Sequence, residues 1–246
     1  MSSNMPQISV VILCYKAEDF APIFVSEMKK VLEKRGLIYE LVLVGNYQRQ
    51  HKQTDRTPQI VTALAMNDIQ IRAVVKEKEG MMGWDMQTGL NVATADTIAI
   101  IDGDGQMPAE DVIRVYDKLI EGNYDMVKTY RNLRYDGSKR VFVSKIYNFL
   151  VKILFPRVKA RDINSKPKIF TREMLDKLQL YSNDWFIDAE IVIQASYLRM
   201  SIGEIPTKFH VNKNRTSFTN TATILEFLKN LVMFRIKYWF NKGNII

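Results

Sequence analysis

The 246-residue chain holds one cysteine, seven prolines and eleven glycines, and each scarcity closes off a class of protein. One cysteine cannot form an internal disulfide, so no disulfide framework holds the fold. Cys14 lies inside the apolar run Ile8–Tyr15, which points to a reducing compartment. No apolar run approaches the ~20 residues that cross a bilayer. Met1–Gln7 is short, polar and interrupted by Pro6, so no signal peptide is expected there. Proline and glycine nowhere cluster into a linker, and neither repeats nor low-complexity stretches appear. What remains is an ordinary globular composition, 47% hydrophobic and 25% charged. Its length suits one large α/β domain or two small ones.

Charge is present in quantity but unevenly spread. Residues 1–123 carry 13 Lys and Arg against 17 Asp and Glu, a balance of −4, whereas residues 124–246 carry 22 against 10, a balance of +12. A basic half implies an anionic partner: nucleic acid, a phosphorylated ligand or an anionic lipid surface. The plain alternative is a solvated basic face.

Periodicity predicts alternating strands and helices. Strands are expected at Ile8–Tyr15, Tyr39–Val44, Ile71–Val75 and Thr97–Asp102, with helices at Ala21–Arg35, Pro58–Met66 and Gly80–Thr94 between them. Gly36 stops the first helix. This βαβ series implies a parallel sheet. Beyond Pro108 the pattern continues with a helix to Glu121, a strand at Asp125–Thr129 and a helix at Val141–Phe155. Helices at Met174–Leu180 and Asp188–Leu198 and a strand at Ile202–Ile205 follow.

The densest chemistry lies at Asp102-Gly103-Asp104-Gly105-Gln106-Met107-Pro108. An isoleucine-rich strand ends there in two carboxylates one residue apart, which point the same way on an extended chain. Both can reach one hard cation, and Mg²⁺ is commonly held by one or two carboxylates plus substrate phosphates. A plain Asp-Gly surface turn is the competing reading. A calcium loop of the EF-hand type is excluded, because Met107 and Ile113 stand where glycine and glutamate are required.

The segment from Thr221 to Tyr238 and beyond is broadly apolar on one side, with Lys229, Arg235, Lys237 and Lys242 as cations and Tyr238 and Trp239 suited to a membrane interface. It reads either as a helix lying among lipid headgroups or as one closing the core or a dimer interface.

In order, these pieces resemble the inverting glycosyltransferases of family 2, with the GT-A fold, and within them the dolichol-phosphate mannose synthase and polyprenyl-phosphate branch. The likeness runs from Ile8 to about Ser217. The family's first strand ends in Pro-x-Tyr-Asn-Glu beside the donor nucleotide; here Tyr15 is kept, and Leu13 and Ala17 replace the proline and glutamate. Where the family carries Asp-Asp-Gly-Ser against the nucleobase, this chain has Val44-Gly45-Asn46-Tyr47, which makes Asn46 the base-contacting candidate. Gly83–Ala95 resembles the glycine- and alanine-spaced helix that leads to the metal motif. Asp102-Gly103-Asp104-Gly105-Gln106-Met107-Pro108 matches Asp-Ala-Asp-Leu-Gln-x-Pro, the strongest single match.

By this resemblance Asp102, Asp104 and Gln106 surround Mg²⁺ or Mn²⁺, with Gly103 beside the donor diphosphate. Lys128-Thr129-Tyr130-Arg131 fits the family's Gly-Ser-Arg, and Arg140 with Ser144 fits an Arg-x-x-x-Ser pair holding an acceptor phosphate. Asp162-Ile163-Asn164-Ser165 keeps the aspartate and serine of Asp-x-x-Ser-Gly-Phe-Arg, but Lys166-Pro167-Lys168 replaces its end, so the acceptor pocket differs. Trp185-Phe186-Ile187-Asp188-Ala189-Glu190 falls where the family faces acidic residues to the acceptor, which makes Asp188 or Glu190 a general base by resemblance; as a plain sequence it reads as a helix cap. Gly203-Glu204-Ile205-Pro206 matches Glu-(Val/Ile)-Pro, and Lys213 and Arg215 fall in the basic segment that closes on the diphosphate.

The resemblance implies a GT-A catalytic domain over residues 1–217 and an amphipathic tail over 218–246, peripheral at the cytoplasmic face of a membrane. Its substrates are a nucleoside-diphosphate sugar and a lipid phosphate, held by Arg131 and Arg140. A glycan or lipid-linked hydroxyl acceptor is the alternative, and it requires a base, for which Asp188 or Asp162 is the candidate. A homo-oligomer stays open. A nucleotidyltransferase fits less well, because Tyr15-Lys16-Ala17-Glu18-Asp19 is neither glycine-rich nor basic. A nucleic-acid binder fits least, since the acidic tip repels a phosphate backbone and no binding motif appears. No nucleic acid is expected as partner.

Overall fold

The computed structural model describes residues 5–51, 53–134, 138–210 and 221–240; side chains at 133–134, 138–140, 221–225 and 237–240 are excepted. Lys213 and Arg215 lie outside the described residues.

Strands β1 (Ile8–Leu13) and β2 (Tyr39–Val44) are buried at every position, as mostly apolar runs in a sheet covered on both faces are, with the Ser9 hydroxyl donating to Glu40 between them. With β3 (Ile71–Val74) and β4 (Thr97–Asp102) they form a parallel block ordered β3-β2-β1-β4. Helix α1 (Phe20–Arg35) ends at Gly36, whose left-handed φ of 73° lets its N–H and that of Leu37 close the last turn. Helices α2 (Thr57–Asn67) and α3 (Met82–Leu90) complete the crossovers. Successive strand residues face opposite layers. Val10, Ile12, Leu41 and Ile101 pack with Phe24 and Met28 of α1 and with Val112 and Val115 of α4 (Glu110–Gly122). Val11, Val42, Ile98 and Ile100 form the second core layer with Met86 of α3.

Beyond β4 the order continues β6-β5-β7, completing a seven-stranded sheet. Strands β5 (Met126–Arg134) and β7 (Ile202–Phe209) pair in parallel, while β6 (Lys168–Thr171) runs antiparallel between β4 and β5. The sheet is thus mostly parallel, with helices on both faces. Strand β6 is absent from the sequence-based pattern. Four residues that open on a lysine carry too little alternation to announce a strand, and only its two neighbours define it.

Helix α5 (Ser138–Leu154) buries Tyr147 and Val151 in the second core layer, as do Ile187, Ile191 and Val192 of α7 (Ile187–Tyr197). Helix α6 (Arg172–Lys177) lies between β6 and α7 in the chain, capped by the Thr171 hydroxyl, which accepts from the Met174 N–H. Helix α8 (Thr221–Phe240) joins the same core through Leu231 and Phe234, the Phe234 ring lying 5.2 Å from that of Phe186. Asn230 donates to Asp184 at 2.6 Å. The inner side of the expected tail therefore closes the core, and Val232, Met233 and Ile236 remain exposed on its outer side. No helix among the described residues is long and apolar enough to cross a membrane.

Candidate active site

Four parallel strands end in one transverse row, Val74–Val44–Leu13–Asp102, and ligands gather beyond such carboxyl ends in open α/β sheets. Leu13, Val44 and Asp102 are three of the donor candidates, so the sheet register brings them together. Tyr15 and Ala17 follow in a tight turn where Lys16 and Glu18 have φ of 54° and 43°. Left-handed backbone at two non-glycine residues is costly and concentrates at functional sites. The Lys78 ammonium stands over the Tyr15 ring, 4.1 Å from its centroid, and pairs with the buried Asp85. With Gln48, Arg49, Gln50 and Glu77 it lines an open cleft of about 530 Å³.

Asn46 departs from its expected role. It is buried, its amide donates to Asp85 (3.0 Å) and Thr88 (2.9 Å), and its carbonyl oxygen accepts from the Lys76 N–H at 2.9 Å. Its polar capacity is spent clasping the end of β2 to α3, so it does not present itself to a nucleobase. Burial raises the pKa of Asp85 against the opposing pull of Lys78 and Asn46.

At the tip of β4, Asp102 and Asp104 are both partly exposed. The Gly103 N–H donates to the Leu13 carbonyl at 2.9 Å, where a Cβ would meet Ile12 at 2.9 Å. Gly105 takes φ +67°, and a Cβ there would stand 2.4 Å from the Phe20 ring. Asp104 accepts from the Gln106 N–H at 3.0 Å, and the Gln106 carbonyl accepts from the His210 N–H at 2.8 Å. The end of β7 thus pins the acidic loop. Two carboxylates and an amide are hard oxygen donors that fit Mg²⁺ or Mn²⁺. Among the described residues no cluster of three or more His, Cys, Asp or Glu forms a complete metal cage.

The acceptor candidates divide. Arg131 grips Asp162 with two parallel hydrogen bonds, 2.6 and 2.8 Å, and approaches the Ser144 hydroxyl at 3.5 Å. Burial opposes ionisation of Asp162, but Arg131 and Lys128 outweigh it and hold its pKa well below the usual carboxylate range. Arg140 lies one turn before Ser144 on α5, where its side chain is not described. Ser165 does not line the site: it is 1% exposed and shares a 2.7 Å hydrogen bond with Thr129 inside the protein.

Like Asp162, the acidic residues at the start of α7 are already engaged. Asp188 is buried, one carboxylate oxygen pairing with Lys168 and the other lying 3.1 Å from the Lys166 ammonium. Burial pushes its pKa up, but these two cations dominate and lower it. Glu190 accepts from the N–H groups of Tyr181 (3.0 Å) and Ser182 (2.9 Å), which shapes the loop before α7. The Asp184 carbonyl in that loop accepts from the Gly83 N–H at 2.9 Å, capping α3 where a Cβ would collide at 2.1 Å with Ser182.

Sequence reasoning did not assign a role to three buried lysines on one side of the sheet. Lys128 of β5 pairs in register with Lys168 of β6, and Lys166 precedes it by two residues. Lys166 stands 3.3 Å from Asp102, and Lys128 donates to the carbonyls of Thr129 (2.8 Å) and Asp162. Burial lowers Lys168 to about 7, with Asp188 opposing and the two neighbouring lysines assisting. The available signal was the Lys-x-Lys spacing, which puts both side chains on one face of a strand.

A family model described as glycosyl transferase family 2 matches residues 9–186. The chain belongs to glycosyl transferase family 2. The matched span of this family 2 member runs from β1 to the residue before α7 and contains every carboxylate of the site but Asp188 and Glu190.

Among its curated relatives is the undecaprenyl-phosphate 4-deoxy-4-formamido-L-arabinose transferase of Shewanella sediminis, 30% identical over 152 residues, or 61% of this chain and 44% of the relative. The glycosyltransferase AglD of Haloferax volcanii is 28% identical over 158 residues, covering 62% and 25%. The chain spans less than half the length of these relatives. Glucosyl-3-phosphoglycerate synthase of Mycobacterium tuberculosis, solved with Mn²⁺, UDP and its product, superposes with a TM-score of 0.73 over 94% of this chain and 80% of that one. At 17% identity this likeness establishes the GT-A-like fold.

Proposed function

We propose that this family 2 enzyme transfers a glycosyl group from a nucleoside-diphosphate sugar to a lipid phosphate at a membrane surface. The observation that carries the reading is the state of the acids around the acceptor. Asp162 and Asp188 are ion-paired, buried and held at depressed pKa, which makes them poor proton acceptors. A hydroxyl acceptor needs a base; a phosphate arrives already ionised. Arg131 with Ser144 offers the matching chemistry, a guanidinium and a hydroxyl at the start of the acceptor side.

Helix α5, which carries Ser144, adds a second support. Phe142, Ile146, Phe149 and Ile153 fall at helical spacing and are 64, 42, 63 and 55% exposed. Lys145 and Lys152, seven residues apart, lie along one side of this stripe. An apolar stripe with a cationic edge suits insertion among anionic headgroups. The undecaprenyl-phosphate transferases among the relatives fit the same acceptor class.

In the reaction, an acceptor phosphate oxygen attacks the anomeric carbon as the bond to the nucleoside diphosphate breaks, inverting the centre. Asp102, Asp104 and Gln106 would hold Mg²⁺ or Mn²⁺, which supplies charge stabilisation to the departing diphosphate. Tyr15, Ala17 and the cleft beside Lys78 border the nucleoside end. Arg131, oriented by Asp162, holds the acceptor phosphate.

The test is nucleoside diphosphate release from UDP- and GDP-sugars with Mg²⁺ or Mn²⁺, with and without a short polyprenyl phosphate. Release is expected to require the lipid phosphate. Donor binding with turnover only on a sugar hydroxyl would overturn the acceptor assignment.

A further inference from the structure

Lys166 is 2% exposed, and its ammonium stands 3.3 Å from both carboxylate oxygens of Asp102 and 3.1 Å from Asp188. The Met82 thioether, 3.3 Å away, offers it only a weak acceptor. The other Asp188 oxygen belongs to Lys168, so Asp188 is shared between two ammonium groups and Lys166 draws on Asp102 as well. Asp102, at the tip of β4, therefore already faces a resident cation shielded from water. A divalent ion arriving at Asp102 alone would set two further positive charges beside that ammonium, where solvent screens poorly. A diphosphate arriving with the ion brings enough negative charge to satisfy both.

We propose that Lys166 makes divalent-ion binding conditional on the donor: in the resting enzyme it neutralises Asp102, and on donor binding it passes to a diphosphate oxygen and releases Asp102 to the ion. The inference rests on the proposed nucleoside-diphosphate donor and deepens it. Lys166 is then a donor-binding residue and the enforcer of an order: ion and nucleotide bind together or weakly. By linkage, each raises the affinity of the other by the same factor.

Isothermal titration of Mn²⁺ into the full chain, alone and saturated with UDP or GDP, tests this in the wild type, Lys166→Met and Lys166→Arg. Wild-type ion affinity is expected to rise at least about tenfold when the nucleoside diphosphate is bound. Lys166→Met should bind Mn²⁺ without nucleotide about tenfold more tightly than wild type, and should lose about tenfold in metal-free nucleotide affinity. Lys166→Arg, which keeps the charge, should not share the tighter nucleotide-free Mn²⁺ binding of Lys166→Met. Unchanged or weaker nucleotide-free Mn²⁺ binding by a folded Lys166→Met protein would overturn the proposal. If that variant does not fold, a wild-type ion affinity indifferent to nucleotide overturns it instead. A wild type that binds neither UDP nor GDP would overturn the donor reading underneath, a result separable from both.

Discussion

Two pairs of carboxylates lie at the same end of this sheet in different surroundings. Asp102 and Asp104 stand partly open at the tip of β4, in a loop shaped by Gly103 and Gly105. Asp162 and Asp188 are enclosed by Arg131, Lys166 and Lys168 and give up their oxygens to them. Partly exposed carboxylates stay within reach of an arriving ion, the role proposed for Asp102 and Asp104, whereas enclosed ones hold cations at fixed positions. Lys166 touches both sets, so the enclosed cluster reports directly to the proposed ion site.

The comparison breaks most visibly at its open side. Asp104→Asn should lower metal-dependent nucleoside diphosphate release by about a thousandfold, the order of a lost metal contact. Its thermal melt should match wild type. Activity near wild type would remove Asp104 from the ion site.

On the enclosed side, Asp188→Asn should act on stability first. It takes the carboxylate from the buried Lys168 and leaves Lys166 only Asp102, and breaking such a buried pair costs about 3–5 kcal/mol. A fall in the urea midpoint is the expected readout. Lost turnover at an unchanged midpoint would instead restore Asp188 as a base.

The smallest effect is one of pH. Asp162 and Asp188 have pKa values below the ordinary carboxylate range when folded, so as pH falls the unfolded chain takes up protons first. Their stabilisation is complete above about pH 4 and drains away below it, by about 1.4 kcal/mol per pH unit for each proton taken up on unfolding. Urea titrations between pH 5 and 2.5 should show this slope, and Asp162→Asn should make it shallower. An identical slope in the variant would place the acid sensitivity elsewhere.

Much of the strand-tip row was legible in one dimension. A strand buried on both faces is mostly apolar, so β1, β2 and β4 announce themselves, and the abrupt change at Asp102 marks a strand tip. Asn46 shows where such reading stops. Its position at the end of β2 was right, but its direction was not, because only the packed α3 supplies Asp85 and Thr88 as partners. Ser165 and Asp188 failed for the same reason. An aspartate in a sequence looks available until its neighbours are known. The expected tail fared similarly: Leu231 and Phe234 read as membrane or core alike until Phe186 and Phe155 lay against them.

Local chemistry, then, was enough to determine the βαβ series, the acidic strand tip and the family, because periodicity and short motifs are properties of neighbouring residues. The tertiary structure alone decided that β6 runs backwards between β4 and β5, and that Lys128, Lys166 and Lys168 meet around Asp188. Whether a charge is a reagent or a strut depends on the dielectric and the counter-charges around it, and those come from segments as far apart in the chain as Asp102 and Asp188.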